Sequence, residues 1–404
     1  MRKLQSRLVG PDVLKIVATI YVIFIHHKIQ TTARFSLQHT IMLILWALLA
    51  LAISYGIYRY GKKHNFSKQQ MFWFCATPIL FVLSLILLRK FAVTFFFIVS
   101  GYMLTSSLQK IEDPLKFWYM RENLVPRILR FYLTLLPIYV VGILIQVCFK
   151  GFSYRFTTLL YKFMLGGFTP GSYYVFAMAQ FMLVFPLLYL LVKKFKGKGV
   201  VAVILFTLLW DVFATLCIDF SETWYKYLIL RLLPHVTLGI YAKLTDFKSD
   251  WFLNYCMFLI GIVYIGLFTF SRRVGTDIFY QWRSASVCIA IFMYPIIVEF
   301  LKRMQNVKYA ENKFCYAMVN FSNATYHIFL FQMLYFRMIG YQFNYWVDNI
   351  IITMPINMVV CLGGGILFYK WFAPLENKII AYVKQRITPK NRRNESITAP
   401  KELN

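Results

Sequence analysis

Residues 12–27 read DVLKIVATIYVIFIHH, and the nature of the chain turns on how this stretch is placed. Most of it is an apolar run of the kind that crosses a bilayer, and it predicts a span over 11–29. Four polar side chains interrupt it: Asp12, Lys15, Thr19 and His26. At about 100° per residue their spacing puts all four on one face of a helix. Lys15 and His26 are eleven residues apart, roughly 16 Å along the axis. A polar stripe therefore climbs one side of an otherwise apolar helix, from near one membrane surface to His26 in the far half. Ionisable groups inside a span are costly and are the first place to look for function. Two readings stand at this point. Either Asp12 and Lys15 snorkel to one interface while His26 and His27 cap the other end, or the stripe is a proton relay or acid–base site.

The rest of the sequence fits the membrane setting. The chain has 404 residues, 59% hydrophobic and only 15% charged. A soluble chain of this length carries about a quarter charged residues, so there is too little polar surface here for separate water-facing domains. Aromatic residues make up 19%, led by 40 Phe and 28 Tyr, and many end the apolar runs, where they suit the headgroup zone. Apolar runs predict further spans at 40–58, 71–88, 91–108, 128–149, 173–192, 199–217, 224–242, 252–270, 284–301, 315–336 and 349–369. The fold class expected is an all-α polytopic transmembrane bundle of about 10–12 spans. The first span lacks a small-residue cleavage site and reads as retained.

The net charge of +28 does not argue for nucleic acid, because its Lys and Arg sit mostly in alternate loops. Arg59, Lys62, Lys63 and Lys68, then Lys110, Lys116, Arg121 and Arg127, then Lys193 to Lys198, then Lys302 to Lys313 lie on the side of the N-terminus. By the positive-inside rule both termini are cytoplasmic. Residues 1–385 read as one membrane domain, and 386–404 as a basic, disordered cytoplasmic tail. No internal repeat is visible. The seven Cys show no metal-ligand spacing, and no metal is expected.

Other polar residues fall inside or beside spans. Arg127 and Arg130 enter the fifth predicted span, where they are either positive-inside anchors or a phosphate clamp. Arg231 and His235 share a face one turn apart, and His327 lies near Asn323 and Gln332. These suit hydrogen bonds between helices as well as they suit chemistry. Ser100-Gly101 lets helices approach closely, and Ser100 has no visible base to make it a nucleophile.

The opening span resembles that of the acyltransferase family 3 membrane proteins, in which a basic residue, normally Arg, is followed after ten residues by His. Lys15 and His26 hold those places. FFFIVSGYML (95–104), RENLVPRILRFYLTLLP (121–137), GSYYVFAMAQFMLVFPLLY (171–189), RLLPHVTLGIY (231–241) and SNATYHIFLFQ (322–332) resemble later family segments in the right order, over about residues 10–375. Three positions depart from the pattern: Lys15 in place of Arg, Ala179 where some members carry Glu, and Gln332 where many carry His. The segment 34–88 looks like an inserted helical hairpin, and no esterase-like domain follows the membrane part.

The resemblance implies an enzyme that moves acyl groups, usually acetyl, from cytoplasmic acyl-CoA to hydroxyls of glycans or small molecules, with acetyl-CoA as co-substrate. It implies His26 as base or transient acyl carrier, with Lys15 and Asp12 completing the catalytic set. Arg121, Arg127 and Arg130 are expected toward the CoA phosphates, and Tyr102, Gln180 and His327 toward the substrate. The expected setting is a bacterial plasma membrane, with membrane lipids and a surface polysaccharide or lipid-linked glycan as partners, no nucleic acid, and a homo-oligomer left open. Two rival readings remain. A transporter or flippase would also carry intramembrane Lys, His and Arg, although no pseudo-symmetry supports it. An inactive scaffold of the same fold is suggested by the three departures.

Overall fold

The structure, a computed structural model, describes residues 7–27, 37–66, 71, 75, 92–151, 155–167, 171, 173–216, 227–248, 257 and 286–388. Among these the regular structure is helical and no strand occurs. The helices are α1 Val9–His26, α2 Leu37–Lys63, α3 Ala92–Leu108, α4 Pro114–Tyr119, α5 Arg121–Lys150, α6 Phe156–Met164 and α7 Tyr173–Phe195. They continue with α8 Gly197–Leu216, α9 Leu233–Leu244, α10 Ser286–Met304, α11 Lys313–Tyr335, α12 Tyr341–Val347 and α13 Ile350–Ile387. Within the described residues, stretches of α1, α2, α5, α7 and α13 are long and apolar enough to cross a bilayer.

The bundle carries its apolar surface outward. Leu144, Leu187, Leu205, Phe206, Leu209, Val359 and Trp371 are all exposed, whereas Asp12, Thr19, His235, His327, Gln332 and Glu376 are buried. A water-soluble monomer does not expose apolar area on this scale. In lipid the arrangement is the stable one, because polar groups find partners only inside the bundle.

Most predicted spans within the described residues coincide with observed helices to within a few residues, and three differ: the one expected at 128–149 begins earlier, at Arg121, and two more depart further. The span expected at 224–242 is not one helix. A 3-10 turn at Ile229–Leu232 precedes α9. The side chain of Gln180 on α7 explains the break: its Nε2 donates to the Tyr227 carbonyl at 2.8 Å, and its Oε1 accepts from the Ile229 N–H at 3.2 Å. Pro234 then occupies the first turn of α9, where a missing N–H costs nothing. The span expected at 349–369 continues as helix to Ile387. At 38 residues α13 is roughly 57 Å long, well beyond the hydrocarbon core of about 30 Å, so part of it stands outside the bilayer. The spans expected at 71–88 and 252–270, and the tail from 389, lie outside the described residues apart from Met71, Cys75 and Met257. Of the inserted hairpin the structure describes α2, and Ser54 of α2 exchanges hydrogen bonds with Cys75 (Ser54 Oγ to the Cys75 carbonyl, 2.7 Å; Cys75 Sγ to the Ser54 carbonyl, 3.3 Å).

The tightest crossing is between α3 and α9, and glycines make it. A Cβ built at Gly101 would stand 2.5 Å from the Val236 carbonyl oxygen, and one at Gly239 would stand 2.1 Å from that of Ile98. Small residues that let backbones touch are the usual glue between helices in lipid. Gly363, on the open side of α13, meets nothing within 4 Å. Gly239→Ala is therefore expected to destabilise the protein by about 1–3 kcal/mol through overpacking. Gly363→Ala should be neutral or stabilising by up to about 1 kcal/mol from helix propensity alone. Thermal unfolding of the two variants in detergent checks the opposite signs.

Candidate active site

The polar face of α1 is turned into the bundle. Asp12 is 1% exposed and is the centre of a network. Arg7, one turn before it, donates from Nε to Oδ2 at 2.6 Å and from Nη2 to Oδ1 at 2.9 Å, the bidentate geometry that suits a guanidinium and a carboxylate. Tyr309, in the loop between α10 and α11, donates to Oδ2 at 3.0 Å. Ser322 of α11 donates to Oδ1 at 2.6 Å. Arg7 Nη2 also donates to Asn323 Oδ1 at 2.8 Å, so α11 is tied to both members of the pair.

Lys15 stands at the edge of this network, its Nζ 4.0 Å from Asp12 Oδ1. The sequence singled out Lys15 as a partner of Asp12; the closer partner is Arg7, which lies before the span and was missed. Thr19 is buried but donates to the Lys15 carbonyl of its own helix at 2.8 Å. The stripe is thus a buried face, with Thr19 serving the backbone.

At the other end of α1 the two histidines separate. His27 Nε2 lies 3.0 Å from Thr353 Oγ1 of α13, and its carbonyl accepts from Asn344 Nδ2 of α12 at 3.2 Å. Asn344 in turn accepts from Asn357, and Asn357 from Tyr335, each at 2.7 Å. His27 is a structural group. His26 is half-buried and faces elsewhere. A Cβ added at Gly171 would lie 3.7 Å from its Nε2, with Met333 of α11 against the same glycine. Its ring lies beside Phe336, centroids 6.3 Å apart. Gly171 has φ +89°, a backbone open to glycine. The opening span, the start of GSYYVF and the end of HIFLFQM therefore meet at the His26 imidazole.

A second cluster forms where α5, α11 and α13 meet. Glu376 of α13 is 3% exposed. Arg130 Nε lies 3.0 Å from its Oε1, Thr134 Oγ1 donates to its Oε2 at 2.9 Å, and His327 Nε2 is 3.4 Å from the same oxygen. The His327 ring sits between Phe368 and Tyr369, each at 5.1 Å. Arg130 and His327, which the sequence assigned to donor and substrate, thus share one carboxylate. Glu376 was missed; its signal was an acidic residue in a chain with only 16 acids, placed on a helix whose continuation past 369 was not foreseen.

The remaining candidates are placed as follows. The Arg127 guanidinium lies 3.9 Å from the centre of the buried Trp118 ring, a cation–π stack, and the Trp118 indole is fixed by donation to the Met182 carbonyl at 2.7 Å. Arg121 is exposed. Tyr102 is buried, stacked on Phe247 at 5.5 Å, with Lys243 5.4 Å from its ring. Gln180 holds the Tyr227–Ile229 break described above. Arg231 is buried against Tyr173 at 5.0 Å.

Breaking one partner of a buried ion pair is costly because the other is left uncompensated. Arg7→Ala should lower stability by about 3 kcal/mol, the low end of the buried-pair range, since the Arg7 side chain keeps 27% exposure. The Arg7→Ala/Asp12→Ala double variant should recover most of that loss. Melting curves of the purified single and double variants provide the check.

Comparison with known proteins places the chain. The model of the acyltransferase domain family matches residues 8–370, from just before α1 to the middle of α13. No curated protein and no solved structure matches the chain. The chain belongs to the acyltransferase family 3 membrane proteins, as its motifs imply, and carries that domain over nearly its whole length.

Proposed function

We propose that this acyltransferase-family chain is a membrane O-acetyltransferase that takes acetyl from acetyl-CoA at the cytoplasmic face and transfers it to a hydroxyl of a surface polysaccharide or its lipid-linked precursor, in a bacterial plasma membrane. The observation that carries this reading is the placement of His26. It stands at the far end of a helix whose near end is held by the Arg7–Asp12 pair, half-buried, at the meeting point of three family segments.

The chemistry assigned to these groups is simple. His26 takes the proton of the acceptor hydroxyl, whose oxygen attacks the thioester carbonyl carbon. The C–O bond forms as the C–S bond breaks, and the thiolate of CoA leaves and is reprotonated from the imidazolium or from water. Histidine suits the step because its ordinary pKa lies near neutrality. Lys15, roughly 16 Å down the same helix face, lies too far from His26 to reach that carbonyl and supplies positive charge on the donor side of the path. Arg127 and Arg130, at the cytoplasmic end of α5, supply cations for the CoA phosphates. Arg130 keeps 53% of its side chain exposed while paired with Glu376, which leaves its outer face free for an anion.

His26→Ala, in protein that inserts and melts normally, should reduce transfer by about 10²–10⁴-fold, the usual worth of a general base. Ester-linked acetyl on surface glycans is the readout, compared between cells with the wild-type and variant chains, and undiminished acetylation would contradict the proposal. Arg127→Ala and Arg130→Ala should raise KM for acetyl-CoA on the order of tenfold or more, the loss of one charged hydrogen bond each, with a smaller change in kcat. Steady-state kinetics of purified protein at varied acetyl-CoA measures that split.

A further inference from the structure

The polar face of α1 belongs to the site above, and a neighbouring face of the same helix lines a cavity that the acyl transfer does not use. Val13, Val17 and Ile20 of α1 face Ala50, Ile53 and Ile57 of α2 across a space of about 820 Å³. This lies at the upper end of the range for small-molecule pockets, about 300–1,000 Å³. On α1 its lining residues centre roughly 110° round the helix from the Asp12–His26 stripe. Val9 to Ile20, the stretch of α1 along the cavity, is roughly 16 Å long, about half of a hydrocarbon core of ~30 Å. The cavity therefore spans one leaflet.

Its charge is confined to one end. Lys308 and His64 line the cavity, both exposed, and exposed Lys62 and Lys63 close α2 beside His64. Glu311 follows three residues after Lys308 without lining the cavity. The same end holds Tyr309, whose hydroxyl donates to Asp12, so the charged mouth lies at the cytoplasmic side, level with the Arg7–Asp12 pair. An apolar slot one leaflet deep with cations only at its cytoplasmic rim matches one ligand chemistry: acyl chains below a negatively charged headgroup.

We propose that the groove between α1 and α2 is a binding site for an anionic phospholipid of the cytoplasmic leaflet, with acyl chains along the α1–α2 slot and the headgroup phosphate at Lys308 and the end of α2. Through Tyr309, which forms part of its wall, an occupied groove also supports the loop that holds Asp12.

The test is lipid retention by the purified full-length chain. The protein is stripped of lipid in detergent and returned to bilayers of phosphatidylcholine alone or with phosphatidylglycerol. Retained lipid is then counted by native mass spectrometry after re-extraction, with melting temperature as a second readout. Gly56→Trp fills the groove at a position whose Cβ has open space, and Lys308→Gln removes one rim charge without touching the interior. The wild type is expected to retain phosphatidylglycerol over phosphatidylcholine and to melt higher with it bound. Lys308→Gln should weaken retention on the order of fivefold, and Gly56→Trp should abolish both retention and stabilisation. Equal retention of the two lipids by the wild type overturns the anionic site. Retention of phosphatidylglycerol undiminished in Gly56→Trp overturns the groove, whatever Lys308→Gln does. Should Gly56→Trp fail to melt cooperatively, Ile53→Trp on the same face takes its place and is read by the same criteria.

Discussion

A carboxylate buried in a membrane-spanning bundle is the constraint around which this structure is arranged. The Asp12 side chain is 1% exposed, and its removal from water is offset by groups that converge on both of its oxygens: a bidentate guanidinium, a phenol and a serine hydroxyl, with the Lys15 ammonium at 4.0 Å. Those groups come from the segment before α1, from the α10–α11 loop and from α11. The arrangement fixes the height and rotation of α1 relative to α11, because the bonds are made only when Asp12 meets Ser322 and Tyr309 together. Everything further along α1 inherits that register, including Lys15 one turn on and His26 at the far end.

The other elements follow the same logic of satisfying polar groups internally. The α3–α9 crossing lets backbones touch through Gly101 and Gly239, which gives dispersion contact where no hydrophobic force operates between helices in lipid. Gln180 offers its amide to both sides of a backbone break, so that irregular chain at membrane depth is tolerated inside the protein. Glu376 gathers Arg130, Thr134 and His327, joining the C-terminal part of α13 to α5 and α11. With Asp12 at one hub and Glu376 at the other, α11 contacts both, through Ser322 and Asn323 in one case and His327 in the other.

How much of this was readable from residues alone varies with the distance over which each interaction acts. Helix positions were legible because apolar run length is a local quantity, and α1 and α7 begin and end near where hydropathy changes. That Asp12 and Thr19 share a face was legible from helical spacing, whereas its burial was one of two readings left open. The partner of Asp12 was not legible: Arg7 lies outside the apolar run, and nothing in the sequence distinguishes it from Arg2 or Lys3 as an anchor. The break before α9 was missed because residues 227–233 are apolar apart from Arg231; Pro234 was its local signal, and the Gln180 side chain that holds the break comes from another helix. Glu376 was missed because its partners are distant in sequence, the nearest being His327, 49 residues before it (376 − 327). The family resemblance supplied what local periodicity could not, namely that segments far apart in the chain belong to one site. The structure brings three of those segments together at His26.

On the proposed function, the Asp12 network sets the register that makes His26 productive, separately from its contribution to stability. Acetyl transfer to surface glycan by the Arg7→Ala/Asp12→Ala double variant tests it most directly, because this variant removes both members of the bidentate pair together. With melting behaviour close to wild type, transfer should still fall on the order of a hundredfold, the cost of a misplacement of about an ångström at a reacting group. Wild-type transfer by that variant would contradict the claim and reduce the network to a structural fastening.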